Sequence, residues 1–330
     1  MSTREEFEKR LHIAYLDEVT VYSFKDSIFH AVVSMNMKKD TYINNLEKDW
    51  AELRRKYDIP DGVCLHFTDI KALLNPQYFL RQPKERNADM ERIFCDTGNK
   101  LVPDKLFDFY CDILDIIHKN NFTVQVTGKR YQKTPLFTNK KMKNYNNGFW
   151  YPLFREHLDS MAYYFIKSAY EEYEAEVMVN KNAKYHNYTV KLRYDGDIEL
   201  TVRNDFRNAF SHSISNGTKR FTSDAFKEIF DEVRFIDKSE IGFCTVCPST
   251  CNSRQISHAG SEIVDFMAVY VARYIAYKAM KNDLIRYEEK SEEEAEKIIN
   301  RNMHIEIQGK PLIKPIDRIL PKIFFETTDH

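Results

Sequence analysis

Ile13-Ala14-Tyr15-Leu16-Asp17-Glu18 is the stretch that decides the reading of this chain, because an apolar run of strand length ends there on two adjacent carboxylates. Leu11 to Leu16 and Ser27 to Met35 are short and rich in β-branched and aromatic residues, and a polar, turn-like stretch separates them. They read as paired strands. Acidic groups placed where a strand ends can meet side chains from distant segments at one edge of a sheet.

Working outward, Tyr42 to Tyr57 carries Ile43, Leu46, Trp50 and Leu53 at helical intervals and stops before Pro60, which predicts an amphipathic helix. Leu65-His66-Phe67-Thr68-Asp69-Ile70 follows, then a charged stretch from Arg81 to Arg92. A helix is predicted over Asp104 to His118, a strand over Phe122 to Val126, and a further helix over Tyr151 to Ala175, where Tyr163 to Tyr173 fit helix packing. Val190, Leu192 and Tyr194 alternate with Lys191 and Arg193 and end at Asp195-Gly196-Asp197, a strand closed by a turn. Val233 to Ile236 reads as a short strand, and Ser261 opens a helix running to about Met280. Strands with intervening helices predict an α/β fold. The expected domains are 1–280, with a basic loop insertion at 127–148 and a Cys-rich loop at 244–258, and then 281–330, an acidic helix with a surface-wrapping C-terminal tail. The acidic run Glu288 to Glu296 could mimic nucleic acid or bind a basic partner, and more ordinarily reads as a solvated helical face.

Composition sets the outer limits. A chain of 330 residues with 43% hydrophobic content can bury one large core or two modest ones. The most apolar run, Ile263 to Tyr277, is interrupted by Asp265 and Arg273, which argues against membrane spanning. The charged N-terminus lacks the apolar stretch of a secretion signal, so a cytoplasmic protein is expected, with its six cysteines reduced or bound to metal. In that setting Asn216-Gly217-Thr218 carries no glycosylation argument. The net charge of −1 makes only the local distribution of charge informative.

Four places put carboxylates near element ends: Asp17-Glu18, Asp69 beside His66, Asp195 and Asp197, and Asp265, expected in the first turn of its helix. Each has an ordinary alternative in turn chemistry or in the helix dipole. Gathered together, carboxylates repel one another and call for cations, and all-oxygen sites suit Mg²⁺ or Mn²⁺. Such ions can activate water and stabilise a leaving oxygen in phosphodiester cleavage.

Two further clusters carry chemistry. Lys129, Arg130, Lys133, Lys140, Lys141 and Lys143 are interspersed with Tyr131, Phe137 and Tyr145 in a stretch without Asp or Glu, a pattern suited to holding phosphates and stacking bases; a solvated lysine-rich loop is the alternative. Cys244, Cys247 and Cys251, with His258 seven residues beyond, supply ligand types for a structural zinc, or else are reduced thiols in a loop.

Ile13 to Glu18 resembles the opening strand and Asp-Glu motif of domain-of-unknown-function family 3800. Leu65 to Ile70 is similar to that family's Glu-Leu-His segment, and Ser261-Glu262-Ile263-Val264-Asp265-Phe266-Met267-Ala268 resembles its closing helix, with Asp265 on the motif aspartate. Val19-Thr20 stand where the family usually has Ser-Gly, and Glu262 stands near the motif glutamine. The resemblance, spanning roughly Ile13 to Tyr277, implies an RNase H-like mixed sheet flanked by helices, with inserted loops and a C-terminal extension. It implies Asp17, Asp195 and Asp265 as metal ligands, with Asp197 a competitor for the middle position, and Glu18 as a fourth carboxylate or orienting group. His66 is either a proton shuttle to the leaving oxygen or a hydrogen-bonded strand-end histidine. The expected function is divalent-metal-dependent hydrolysis of RNA or DNA. The alternative is a noncatalytic nucleic-acid-binding or regulatory protein on the same fold.

Overall fold

The structure is a computed structural model that describes residues 8–22, 27–60, 63–120, 122–132, 150–195, 200–236, 259–303, 306–307, 310–311 and 323–327. The predicted first pair of strands forms β1 (Leu11–Tyr22) and β2 (Ser27–Lys38), antiparallel from His12 opposite Lys38 to Tyr22 opposite Ile28. β1 is a central strand covered on both faces, which is why its first six residues are almost continuously apolar. Ile13 and Tyr15 enter one core, and Ala14 and Leu16 enter the other.

After β2 the chain turns through Lys39–Thr41 and one widened turn, Tyr42–Leu46, into α1 (Glu47–Lys56). The short α2 (Phe67–Ala72) and α3 (Ala88–Phe94) lead to α4 (Pro103–Lys119). Next come β3 (Thr123–Gln132), α5 (Trp150–Val179), β4 (Thr189–Asp195), α6 (Leu200–Asn216), α7 (Ser223–Ile229) and β5 (Phe230–Ile236). α8 (Ala259–Tyr287) and α9 (Glu292–Met303) follow, then a two-residue ladder of Glu306–Ile307 with Lys310–Pro311. The last strand, β6 (Ile323–Thr327), pairs parallel to β3.

The fold is α/β. Five strands in the order β5-β4-β1-β2-β3 form a mixed sheet, extended at the β3 edge by β6. β4 runs parallel to β1 and β5 parallel to β4, so β2 is the strand that runs against the others. One face packs on α8 and the helices inserted between β2 and β3, and the other on α5, α6 and α7. α8 lies between the sheet and the inserted helices, so from Ala259 to Ala276 it is buried nearly all round, leaving Asp265, Val269 and Arg273 as a partly exposed stripe at four-residue spacing.

Several expectations change. Residues 127–132 are strand rather than loop, because the ladder with β2 continues to Ser27 opposite Gln132. Buried Thr127 and Gly128 make this half of β3 look polar in sequence. α8 runs across the expected boundary at 280/281, and the tail beyond it contributes β6 to the sheet instead of only wrapping the surface. Among the described residues no helix is long and apolar enough to cross a membrane.

Candidate active site

The β1–β4 ladder ends with Leu16 opposite Tyr194. Asp17 and Asp195 are therefore the next residues on two adjacent parallel strands, where β1 goes on with β2 and Asp195 pairs with Ile236 of β5. This is the carboxyl end of the parallel strands, the edge at which open α/β sheets place ligands. The backbone of Asp195 is described; its side chain and the whole of Asp197 lie outside the described residues.

Strand alternation puts Asp17 on the face of Ile13 and Tyr15, the side covered by α8. It is only 8% exposed, and its Oδ1 accepts from the Glu18 N–H at 2.9 Å. Glu18 leaves by the opposite face, where the Tyr194 hydroxyl donates to its Oε2. The two neighbouring carboxylates of the sequence motif thus serve different layers.

Asp265 arrives on α8. The helix starts at Ala259, two residues earlier than expected, so Asp265 is its seventh residue and not part of the first turn. Its start is fixed by Gly260, whose missing side chain admits the Tyr15 ring: a Cβ there would lie 2.2 Å from a ring carbon. Asp265 Oδ2 accepts from the Phe67 N–H at 3.1 Å and lies 3.8 Å from His66 Nδ1. One turn earlier, Glu262 Oε1 accepts from the Leu65 N–H at 2.9 Å. Two acids at i and i+3 on one helix therefore pin an extended segment at alternate residues and hold His66 between them, its side chain 27% exposed.

The anchor beneath this segment went unrecognised as such in the sequence. Glu262 is 2% exposed and accepts from Trp50 Nε1 at 2.5 Å and from Arg54 Nη1 at 2.9 and 3.0 Å. The second Arg54 terminal nitrogen donates to the carbonyls of Pro60 and Val63, each at 2.6 Å. Burying an ion pair is costly unless geometry and further hydrogen bonds satisfy both partners, and here the bonds are supplied. The available signal was Trp50 and Arg54 one turn apart on a helix, with Glu262 directly before the apolar run that begins at Ile263.

Other expected site residues stand elsewhere. Asp69 accepts from Asn87 Nδ2 at 3.0 Å, and Asn87 in turn caps α3 through the Met90 N–H. Lys129 and Arg130 lie on β3 opposite His30 and Phe29, and Arg130 is ion-paired with Asp283 of α8. Lys133, Lys140, Lys141 and Lys143 lie outside the described residues, as do Cys244, Cys247, Cys251 and His258. Cys64, Cys95 and Cys111 are not joined in disulfides. Among the described residues no group of three or more His, Cys, Asp or Glu side chains has the placement to hold a metal ion. The structure brings His66 and Asp265 together and puts Asp17 on the same face; Glu18 it sends to the other.

Comparison with family models, curated proteins and solved structures finds no match for this chain.

Proposed function

We propose that this protein is a divalent-metal-dependent nuclease on an RNase H-like scaffold, hydrolysing phosphodiester bonds in RNA or DNA. The observation that carries the reading is the register. Asp17 and Asp195 follow the last paired residues of adjacent parallel strands, and Asp265 stands on the helix covering the face to which Asp17 belongs. The mixed sheet, with acids on β1, on β4 and on the helix after β5, supports the scaffold that the sequence resemblance implies.

The donor set fits the ion. Asp17, Asp195 and Asp265 offer hard carboxylate oxygens, as Mg²⁺ or Mn²⁺ requires, and these three residues would hold it. Bound there, the metal would supply Lewis-acid polarisation of a phosphoryl oxygen and a water acidic enough to attack at neutral pH.

The chain's own groups have separate tasks. Glu262, Arg54 and Trp50 fix the segment that carries His66, so the imidazole is held by a buried framework before substrate arrives. Asp265 Oδ2, 3.8 Å from Nδ1, fixes the direction in which the ring faces the site. A partly exposed imidazole so placed can deliver a proton to the departing oxygen.

Labelled single- and double-stranded RNA and DNA, incubated with Mn²⁺ and then with chelator, test the reading. Cleavage that needs Mn²⁺ and is lost in Asp17→Asn and in Asp265→Asn is expected. Cleavage that survives both substitutions refutes the assigned site.

A further inference from the structure

We propose that Lys71 and Arg273 form a subsite for the phosphates of a nucleic-acid strand, beside the Asp265–His66 pair. The choice of ligand rests on the nuclease reading; the existence of an anion site rests on the following geometry.

Asp265, Val269 and Arg273 form the partly exposed stripe of α8. Eight residues of helix separate the two charged positions by about 12 Å along the axis. Helical side chains lean toward the N-terminus, and a long arginine on this stripe reaches back along it. It does so here: the Arg273 guanidinium lies over the Phe67 ring, 5.7 Å from the centroid, and the N–H of Phe67 is bound to Asp265. Lys71 stands one turn beyond Phe67 on α2, on the same side of that helix.

Among the described residues neither Lys71 nor Arg273 makes a hydrogen bond or ion pair with a carboxylate. Both charges flank the Phe67 ring, Arg273 over its face and Lys71 one helical turn further on, and in keeping with that placement desolvation and then the charge of Arg273 lower the proton affinity of the Lys71 ammonium. The proton affinity of the buried Tyr110 hydroxyl, raised by burial, is lowered by the charge of Arg273 and raised by that of Asp265. One aromatic face offsets only part of the cost of withdrawing a guanidinium from water, and repulsion from Lys71 adds to it. A phosphodiester laid between them supplies the missing charge and accepts hydrogen bonds from both. A strand held there has a neighbouring phosphate directed along the stripe toward Asp265 and His66.

The test measures binding apart from cleavage. Fluorescein-labelled single-stranded RNA and DNA oligonucleotides are titrated with the full chain in EDTA over a series of salt concentrations, with anisotropy as the readout. Replacing both cations (Lys71→Gln with Arg273→Gln) is expected to weaken binding about tenfold or more at low salt and to reduce the slope of log K against log salt by about 1.4, the share of two phosphate contacts on a single strand. Lys71→Gln alone, at an exposed position, is expected to give about half of that slope change with an unaltered melting temperature, and Arg273→Lys to keep most of the affinity. An unchanged affinity and slope in the double variant overturns the proposal, and so does a wild-type protein that binds neither strand. Binding that depends on Lys71 and Arg273 in a protein that cleaves nothing with Mn²⁺ refutes the nuclease reading and leaves the subsite standing.

Discussion

Glu262→Gln should be the most damaging isosteric change in the buried framework of this protein. The carboxylate receives N–H groups from Trp50 at 2.5 Å, Arg54 at 2.9 and 3.0 Å, and Leu65 at 2.9 Å. Glutamine keeps the shape and exchanges one acceptor for a donor. If its oxygen stays with Leu65 and Arg54, its NH₂ confronts the indole N–H at a distance suited only to attraction; if it rotates, the NH₂ confronts the Leu65 N–H and the guanidinium. Either way the Arg54 charge, on a side chain only 6% exposed, loses its counter-ion. Removing one partner of a buried pair costs roughly 3–5 kcal/mol, more than the ordinary hydrogen bond can account for. Replacing both ionic partners with methionine removes the charges together but leaves the Trp50 and Leu65 N–H groups and the Pro60 and Val63 carbonyls without these partners, so it should recover only part of that loss. Urea unfolding followed by tryptophan fluorescence gives the comparison. A loss below about 1 kcal/mol in Glu262→Gln, or a double variant no better than the single one, would refute the argument that the pair is held by mutual compensation.

Three further outcomes are expected. The layer between the sheet and α5 contains His12, His30 and His157, whose proton affinities burial lowers to about 4, about 4 and about 3. His12 Nδ1 meets the Arg10 carbonyl at 3.1 Å, His30 Nδ1 meets Thr20 Oγ1 at 2.9 Å, and His157 Nδ1 meets Thr127 Oγ1 at 2.9 Å. The unfolded chain binds these protons first, so the stability contributed is complete above about pH 6.5 and declines as pH falls toward the folded values. It amounts to roughly 3 kcal/mol for each of the first two and nearer 5 for His157. A melting temperature flat between pH 7 and about pH 4 would contradict this burial. Gly260→Ala should cost about 1–3 kcal/mol or more by overpacking, because the Tyr15 ring it would strike is fully buried and stacked on Tyr42 at 5.3 Å; a near-neutral melting curve would show that α8 can lift from β1. His66→Gln should lower kcat by about 10²–10⁴-fold while leaving oligonucleotide affinity in place, and an unaltered kcat removes the proton-transfer role.

The first strand pair was legible because burial on both faces writes an apolar run from Leu11 to Leu16 broken only by His12, and the late helix because most of its positions from Ala259 to Ala276 are buried. α6 was not anticipated. Val202, Phe206 and Phe210 do recur at helical spacing, yet the intervening Asn and Ser residues are weak helix formers, and it is the second core that fixes the helix. The far half of β3 was read as loop because its buried positions include Thr127, which is satisfied by a histidine rather than by an apolar neighbour. At the site, sequence supplied Asp17, His66 and Asp265 as separate short motifs. It could not supply the roles of Glu18 and Glu262: one depends on which face a strand residue takes, the other on a partner two hundred residues away.

The central claim is that Asp17, Asp195 and Asp265 share an ion. Crystals soaked in Mn²⁺ and measured for anomalous scattering test it directly. The account predicts a peak at the carboxyl end of β1 and β4, about 2.0–2.6 Å from oxygens of these residues. Manganese bound elsewhere, with these three carboxylates separated and the position between them empty, would contradict it.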